Sequence, residues 1–241
     1  MNIKAIRLLF HYQFLSSFLR NKETLIYTIF LPSFLFIIFG LAFRIDSRYA
    51  SFFLPGVIGS IIASDGFYAV GPVIKNYYTL QVVRYFRGYP LNIIWLFITF
   101  ILTRLIFIGI ASIIVIILSV YVFDFTPSFK SLIFYLIGIV LGFSIYSLIG
   151  LTISLFGIKD NKDQALLTPL YLMSIFLSDA FFNLSSINSF FSIISYLFPL
   201  TPVLDFMREG DLLSLLYCLI WLLISLTLYY VKLNSMGLKR L

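Results

Sequence analysis

Charge is scarce in this chain: of 241 residues only 11% are Asp, Glu, Lys or Arg, less than half the share in a soluble globular domain. So small a polar complement excludes an ordinary water-soluble fold. Histidine is limited to His11, which excludes a His-built metal cluster. Cysteine is limited to Cys218, inside the last apolar run, so no intrachain disulfide can form and the redox compartment stays open. Several catalytic signatures are missing as well. No GxxxxGK[ST] loop is present to cradle a nucleotide's phosphates. There is no GxSxG elbow and no HExxH, and no second histidine to activate a nucleophile. Neither Asp65 nor Asp179 has the Gly-x-Gly-Asp setting of intramembrane aspartyl proteases. The chain is therefore expected not to be an enzyme, and to bind no metal and no cofactor of its own. Its start, MNIKAIRLLFHYQ, has no small-residue cleavage site after a discrete apolar core, so no cleavable signal is expected.

Apolar residues dominate instead: 61% are hydrophobic and 19% aromatic. Runs of eighteen or more apolar residues recur, each long enough to cross ~30 Å of hydrocarbon. The expected fold is an all-α integral membrane protein, one transmembrane domain over residues 1–241 with six spans. The spans are read at Thr24–Phe43, Phe52–Val73, within Leu91–Val122, Leu132–Phe156, Ala165–Phe182 and Leu212–Val231. The third region is longer than a bilayer needs, so its start is expected to tilt or to lie at the interface. A net charge of +7 would point to nucleic acid in a soluble chain. Here the placement of Lys and Arg in loops accounts for it, and no nucleic-acid partner is expected.

Orientation follows from where those cations fall. With both termini in the cytoplasm, the inner segments hold Lys4, Arg7, Arg20, Lys22, Lys75, Arg84, Arg87, Lys159, Lys162, Lys232, Lys239 and Arg240. The outer segments hold Arg44, Arg48, Lys130 and Arg208, and Arg104 falls in the third region. This inner excess predicts a multi-pass protein of the cell membrane with an even number of spans and both ends cytoplasmic.

Between the spans, four segments stand out. Residues 1–23 place Lys4, Arg7 and His11 on one helical face, the pattern of an amphipathic helix lying at the cytoplasmic interface. In the inner connection Lys75–Pro90, a helical wheel gathers Tyr78, Val82, Tyr85, Phe86 and Tyr89 on one side and Asn76, Gln81, Arg84 and Arg87 on the other. Gly88 and Pro90 end that helix, which is suited to lipid or to a partner protein. The loop Gly157–Gln164 reads as a solvated turn of mixed charge. The segment Ser178–Arg208 is too apolar for a free loop, yet Ser, Asn and two prolines interrupt it too often for a lipid-facing helix. It is expected to form a short helical cap packed on other helices at a membrane surface, with the extracytoplasmic cap assigned to 183–211.

Three polar residues interrupt the spans. A carboxylate in hydrocarbon is costly, so Asp65, well within the second span, should meet a partner group, a cavity or water, and it is a candidate for lining a translocation path. Asp179, also a path candidate, lies near the outer end of the fifth span and is read as interfacial. Arg104 is read as snorkelling to the inner interface. Gly138 and Gly142 stand four apart in the fourth span, the small-residue spacing that lets helices pack closely.

The order of these elements resembles the membrane subunits of type-2 ATP-binding-cassette (ABC) exporters, the ABC-2-type permeases, over nearly the whole chain. RNKETLIYTIFLP is similar to the family's polar-then-proline start of the first span, and Pro55-Gly56 to its Pro-Gly at the outer start of the second. Arg84, Phe86, Arg87, Pro90 and Leu91 resemble the basic-and-apolar run that closes on Pro-Leu. Ser178, Phe182, Pro199, Leu200, Asp205 and Arg208 fall where the family's outer cap carries Ser-Gly, Phe-Pro, Pro-Leu and Asp-x-x-Arg. The chain departs from the family in having no acid in Tyr77–Leu80, where relatives carry Glu-Arg-Glu. It also has Asp179 in place of a cap glycine, and Asn183 and Asn188 in place of cap prolines.

The resemblance implies a permease driven by a separate cytoplasmic ABC ATPase that holds ATP-Mg. It also implies pairing of the permease with a second copy or a paralogue. The Lys75–Pro90 helix would couple to the ATPase through Tyr78, Arg84, Tyr85, Phe86, Arg87, Gly88 and Pro90, and an amphiphilic or hydrophobic substrate would leave past the cap. The alternative expectation is an ion- or proton-coupled transporter or channel without an ATPase, although no inverted repeat with broken midplane helices is seen.

Overall fold

The computed structural model describes residues 3–15, 29–42, 47–79, 93–156, 163–183 and 189–235. All regular structure among them is helical: α1 (Ile3–Leu15), α2 (Leu31–Ala42), α3 (Ser47–Ser64), a π-helical stretch (Asp65–Val70), α4 (Gly71–Thr79), α5 (Ile93–Phe123), α6 (Phe129–Phe156), α7 (Asp163–Phe176), α8 (Ser189–Ser195), α9 (Leu200–Glu209) and α10 (Leu212–Ser235). Helix is what a chain this apolar must form, because hydrocarbon offers no partner for a backbone N–H or C=O outside the helix itself.

Among the described residues four helices are long and apolar enough to cross a membrane: Tyr49–Tyr77, which runs through α3, the π-helical stretch and α4, then Trp95–Phe123, Phe129–Phe156 and Leu212–Asn234. At 31 residues α5 is about 46 Å long, well beyond ~30 Å of hydrocarbon. The expected first and fifth spans contain shorter apolar helices, Pro32–Leu41 and Gln164–Phe176. The second of these stops at Phe176, in a turn that carries Asp179 at φ +57°.

Helix α6 is the centre of the bundle, packing against α3, the π-helical stretch, α4, α5, α7, α9 and α10. Its glycines explain how so many neighbours come close. A methyl group added at Gly66 would sit 2.6 Å from Cβ of Tyr146, and one at Gly150 would sit 2.6 Å from the Gly66 carbonyl oxygen. The π-helical stretch and α6 therefore cross backbone to backbone. Tyr146, fully buried beside this crossing, donates from its hydroxyl to Ser174 Oγ on α7 at 3.2 Å and meets Phe67 edge-on at 5.1 Å. The core is otherwise aliphatic and aromatic, with Ile58, Ile61, Ile62, Phe143 and Ile145 all buried. By contrast α10 is apolar and largely exposed along its length, as a lipid-facing helix must be.

Helix α1 docks on α5. Its Gln13 Nε2 donates to the Leu96 carbonyl at 3.2 Å, and Phe14 stacks on Phe107 with ring centres 5.5 Å apart. Arg7 and His11 point outward on the opposite side.

Candidate functional site

Two polar constructions interrupt this apolar bundle. The first lies mid-way along the Tyr49–Tyr77 helix. Asp65 opens the π-helical stretch and is 3% exposed, and Arg104 of α5, 5% exposed, donates to it from Nη1 to Oδ1 at 3.5 Å. Thus Asp65 has a partner group, one that had been expected elsewhere: Arg104 turns into the bundle instead of snorkelling outward to the interface. The reason is energetic. An unpaired charge of either sign in this interior is far costlier than a pair, and Asp65 is the carboxylate facing α5. The guanidinium also lies over the Phe100 ring at 5.5 Å, while its Nε has no acceptor. A π-helical turn leaves a local mismatch in backbone hydrogen bonding and is common at functional positions. Here it sits where a carboxylate must be aimed between two helices.

The second construction surrounds α9. Leu200, Thr201, Pro202, Val203, Leu204, Phe206 and Met207 are all buried. The segment expected to cap the bundle is thus driven into it. Glycines make the slot: a methyl group at Gly59 of α3 would meet Leu204 Cδ2 at 2.7 Å, one at Gly138 of α6 would meet Met207 Cγ at 2.5 Å, and one at Gly142 would meet Val203 Cγ1 at 3.0 Å. The Gly138/Gly142 spacing therefore receives this short helix. Gly210 ends α9 in the left-handed region at φ +68°, its N–H returning to the Phe206 carbonyl.

Arg208 fastens α9 in place. Its Nη2 donates to the Asp179 carbonyl at 2.7 Å and to the Phe52 carbonyl at 3.2 Å, and its guanidinium lies 3.7 Å from the centre of the Phe52 ring. One side chain thereby ties α9 to the beginning of α3 and to the turn after α7. Close by, Gly56 lets α3 approach that turn, since a methyl group there would stand 1.7 Å from the Ala180 carbonyl oxygen. The Tyr49 hydroxyl donates to the Phe181 carbonyl, and Phe53 packs on Phe181 at 5.6 Å. Asp179 occupies a left-handed conformation, a backbone that glycine adopts without strain and that Asp is among the few other residues to tolerate.

At this end the charges of Asp205, Asp179 and Glu209 act on the Arg208 guanidinium. Burial pushes the Asp205 carboxyl up to about 6, with Arg208 pulling it back and Asp179 and Glu209 raising it further. Burial also lowers Arg208 to about 10, against the pull of Asp205, Asp179 and Glu209. The direct contact between Arg208 Nη1 and Asp205 Oδ1 is long, at 3.9 Å. The Tyr196 phenol is raised first by the Asp205 charge and then by burial.

The other expected site residues distribute as follows. Ser178 is fully buried, with its Oγ toward the Ile175 carbonyl at 3.5 Å. Pro199 is buried immediately before α9, and Phe182 is 42% exposed after the turn. Tyr78 lies in α4, and nothing is described of its side chain. Arg84, Tyr85, Phe86, Arg87, Gly88 and Pro90 fall within 80–92, outside the described residues, as does Asn188. Reading the sequence alone missed Arg104 as an ion-pair partner, as well as Gly59, Gly66 and Gly150. The signal for the pair was present, because two opposite charges in separate spans are best explained by each other.

Among the described residues no group of three or more His, Cys, Asp or Glu could hold a metal ion. Comparison with curated proteins returned no match, and neither did comparison with solved structures. The family model described as ABC-2 type transporter matches residues 4–212, which takes in every helix from α1 to α9. The chain belongs to the ABC-2 type transporter family, as a membrane-embedded transport permease.

Proposed function

We propose that this chain is the permease subunit of an ATP-driven exporter, forming the path for an amphiphilic or hydrophobic substrate while a separate ABC ATPase supplies the energy. The observation that carries this reading is the family match over residues 4–212, laid on a bundle of long apolar helices with an apolar helix clamped at one end. That end is outer in the orientation set by the Lys and Arg distribution, with α2 and α7 completing six spans and both termini cytoplasmic in the cell membrane. Two copies, or one copy and a paralogue, pair around the path. ATP-Mg sits on the partner ATPase.

Coupling falls to the connection after α4, through Tyr78, Arg84, Tyr85, Phe86, Arg87, Gly88 and Pro90. The substrate leaves past Ser178, Phe182, Pro199, Asp205 and Arg208. Asp65 and Asp179 lie along this route from the middle of the bundle to its outer end. The direct experiment is co-purification of the permease with its ATPase. Arg84→Glu with Arg87→Glu should abolish capture while leaving the permease in the membrane. Unchanged capture would refute the coupling role of those arginines.

A further inference from the structure

The helix that leads from the outer end to the coupling connection is not uniform: α3 is α-helical, Asp65–Val70 is π-helical, and α4 is α-helical again. A π-helical turn is mechanically soft, because its hydrogen bonding can slip by one residue and rotate everything beyond it. A push on α4 should therefore be absorbed at Asp65–Val70. Three observations show what opposes this. Asp65, the first residue of the soft stretch, is held by Arg104 of α5, and both are more than nine-tenths buried. Immediately beyond it, Gly66 is locked against the α6 backbone at Tyr146 and Gly150. In the sequence, α4 and α5 are the two helices joined by residues 80–92, so the pair ties together the two sides of one connection.

The path continues outward from the pin. The α3 segment carries Gly59 against Leu200 and Leu204 of α9, Gly56 against the Ala180 carbonyl, and Phe52 against Arg208. From the pin to the clamp the contacts are continuous and close. The Asp65–Arg104 contact is long, at 3.5 Å, and Arg104 Nε lacks an acceptor. A pair made only to fill the interior would gain by becoming bidentate or by being replaced with apolar side chains.

We infer that Asp65 and Arg104 are positioning residues that pin α5 to the π-helical stretch, so that a displacement of α4 is delivered to the Arg208-clamped helix α9 instead of being taken up within Asp65–Val70. This rests on the permease reading above. It places a transmission element of the chain at a buried charge pair in the middle of the bundle.

The test uses the full-length permease with its co-purifying ATPase in lipid nanodiscs, followed by hydrogen exchange with and without ATP and vanadate. Two peptides are read, one covering α4 (71–79) and one covering α9 (200–209). In the unmutated complex both should change exchange on trapping. In Asp65→Asn the α4 change should persist while the α9 change falls to less than half. The charge-reversed pair, Asp65→Arg with Arg104→Asp, should recover the α9 change, and it carries the test if Asp65→Asn does not assemble. An unaltered α9 response in Asp65→Asn would overturn the inference, as would a charge-reversed protein that responds at α4 but not at α9. Loss of both responses together in an assembled Asp65→Asn complex would also overturn it, since that is what a purely structural role gives. Absence of any nucleotide response at α4 in the unmutated complex would instead overturn the permease reading, and the inference with it.

Discussion

Replacing Arg208 by Met keeps most of the side-chain volume but removes the polar links that tie α9 to α3 and to the turn after α7. The links lost are a 2.7 Å bond to the Asp179 carbonyl, a 3.2 Å bond to the Phe52 carbonyl, and the cation over the Phe52 ring at 3.7 Å. Hydrogen bonds from a charged donor contribute about 1.5–3 kcal/mol each, and the longer bond belongs at the low end. The contact with Asp205 at 3.9 Å joins two partly exposed groups and adds less than about 1 kcal/mol. Dislodging α9 should thus become easier by about 3–5 kcal/mol, which is roughly 10²- to 4 × 10³-fold in its opening equilibrium. The chain supplies its own reporter. Cys218 is its sole cysteine and is fully buried on α10, in the electrostatic reach of Asp205. A membrane-impermeant maleimide added outside intact cells should label Cys218 at least a hundredfold faster in Arg208→Met than in the unmutated protein. A change of less than threefold, in protein with unaltered membrane insertion, would refute the clamp.

Asp205 makes the same helix sensitive to pH. Its carboxyl in the packed state is raised by burial to about 6, above its ordinary value, so the protonated form favours the packed helix. That contribution is fully present below about pH 4 and is lost as pH rises through about 6. The rise is worth up to about 3 kcal/mol, which solvent access to a side chain 27% exposed reduces to about 1–2 kcal/mol. Asp205→Asn should therefore raise the thermal unfolding midpoint more at pH 8 than at pH 4.5; an equal effect at both pH values would contradict this. Glycine substitutions separate close backbone approach from open space. Gly56→Ala meets the main-chain Ala180 carbonyl, which cannot swing aside, and should cost about 3 kcal/mol or more, seen as lost folded yield in detergent. Gly109→Ala meets nothing within 4 Å and should stabilise by about 0.5–1 kcal/mol in the same assay.

The long apolar runs were legible in the sequence because a helix that crosses a bilayer needs only length and hydropathy. Helices Trp95–Phe123, Phe129–Phe156 and Leu212–Asn234 fall where those runs lie. The Gly138/Gly142 spacing announced a close approach, but not that its partner would be a ten-residue helix, α9, carrying Met207 and Val203. The Asp65–Arg104 pairing was not legible because it depends on how two helices rotate about their axes. A π-helical turn shifts that rotation in a way no 3.6-residue period reveals. Arg208 was expected in the outer cap from the resemblance of its Asp-x-x-Arg spacing. Its real partners are two main-chain carbonyls, and main-chain acceptors leave no mark on a sequence. The residues expected to couple to an ATPase, from Arg84 to Pro90, lie outside the described residues, so their placement rests on the connection's own amphipathic pattern.

The central claim is that this permease works with an ABC ATPase. Its most direct test is to tag the chain in its native membrane, capture it under mild detergent, and identify the partners by mass spectrometry. The expected result is a protein carrying a GxxxxGK[ST] loop at near-equal stoichiometry, with vanadate-sensitive ATP hydrolysis in the captured material. Intact permease recovered without any such protein, and moving substrate from ATP-depleted vesicles along an ion gradient, would contradict it.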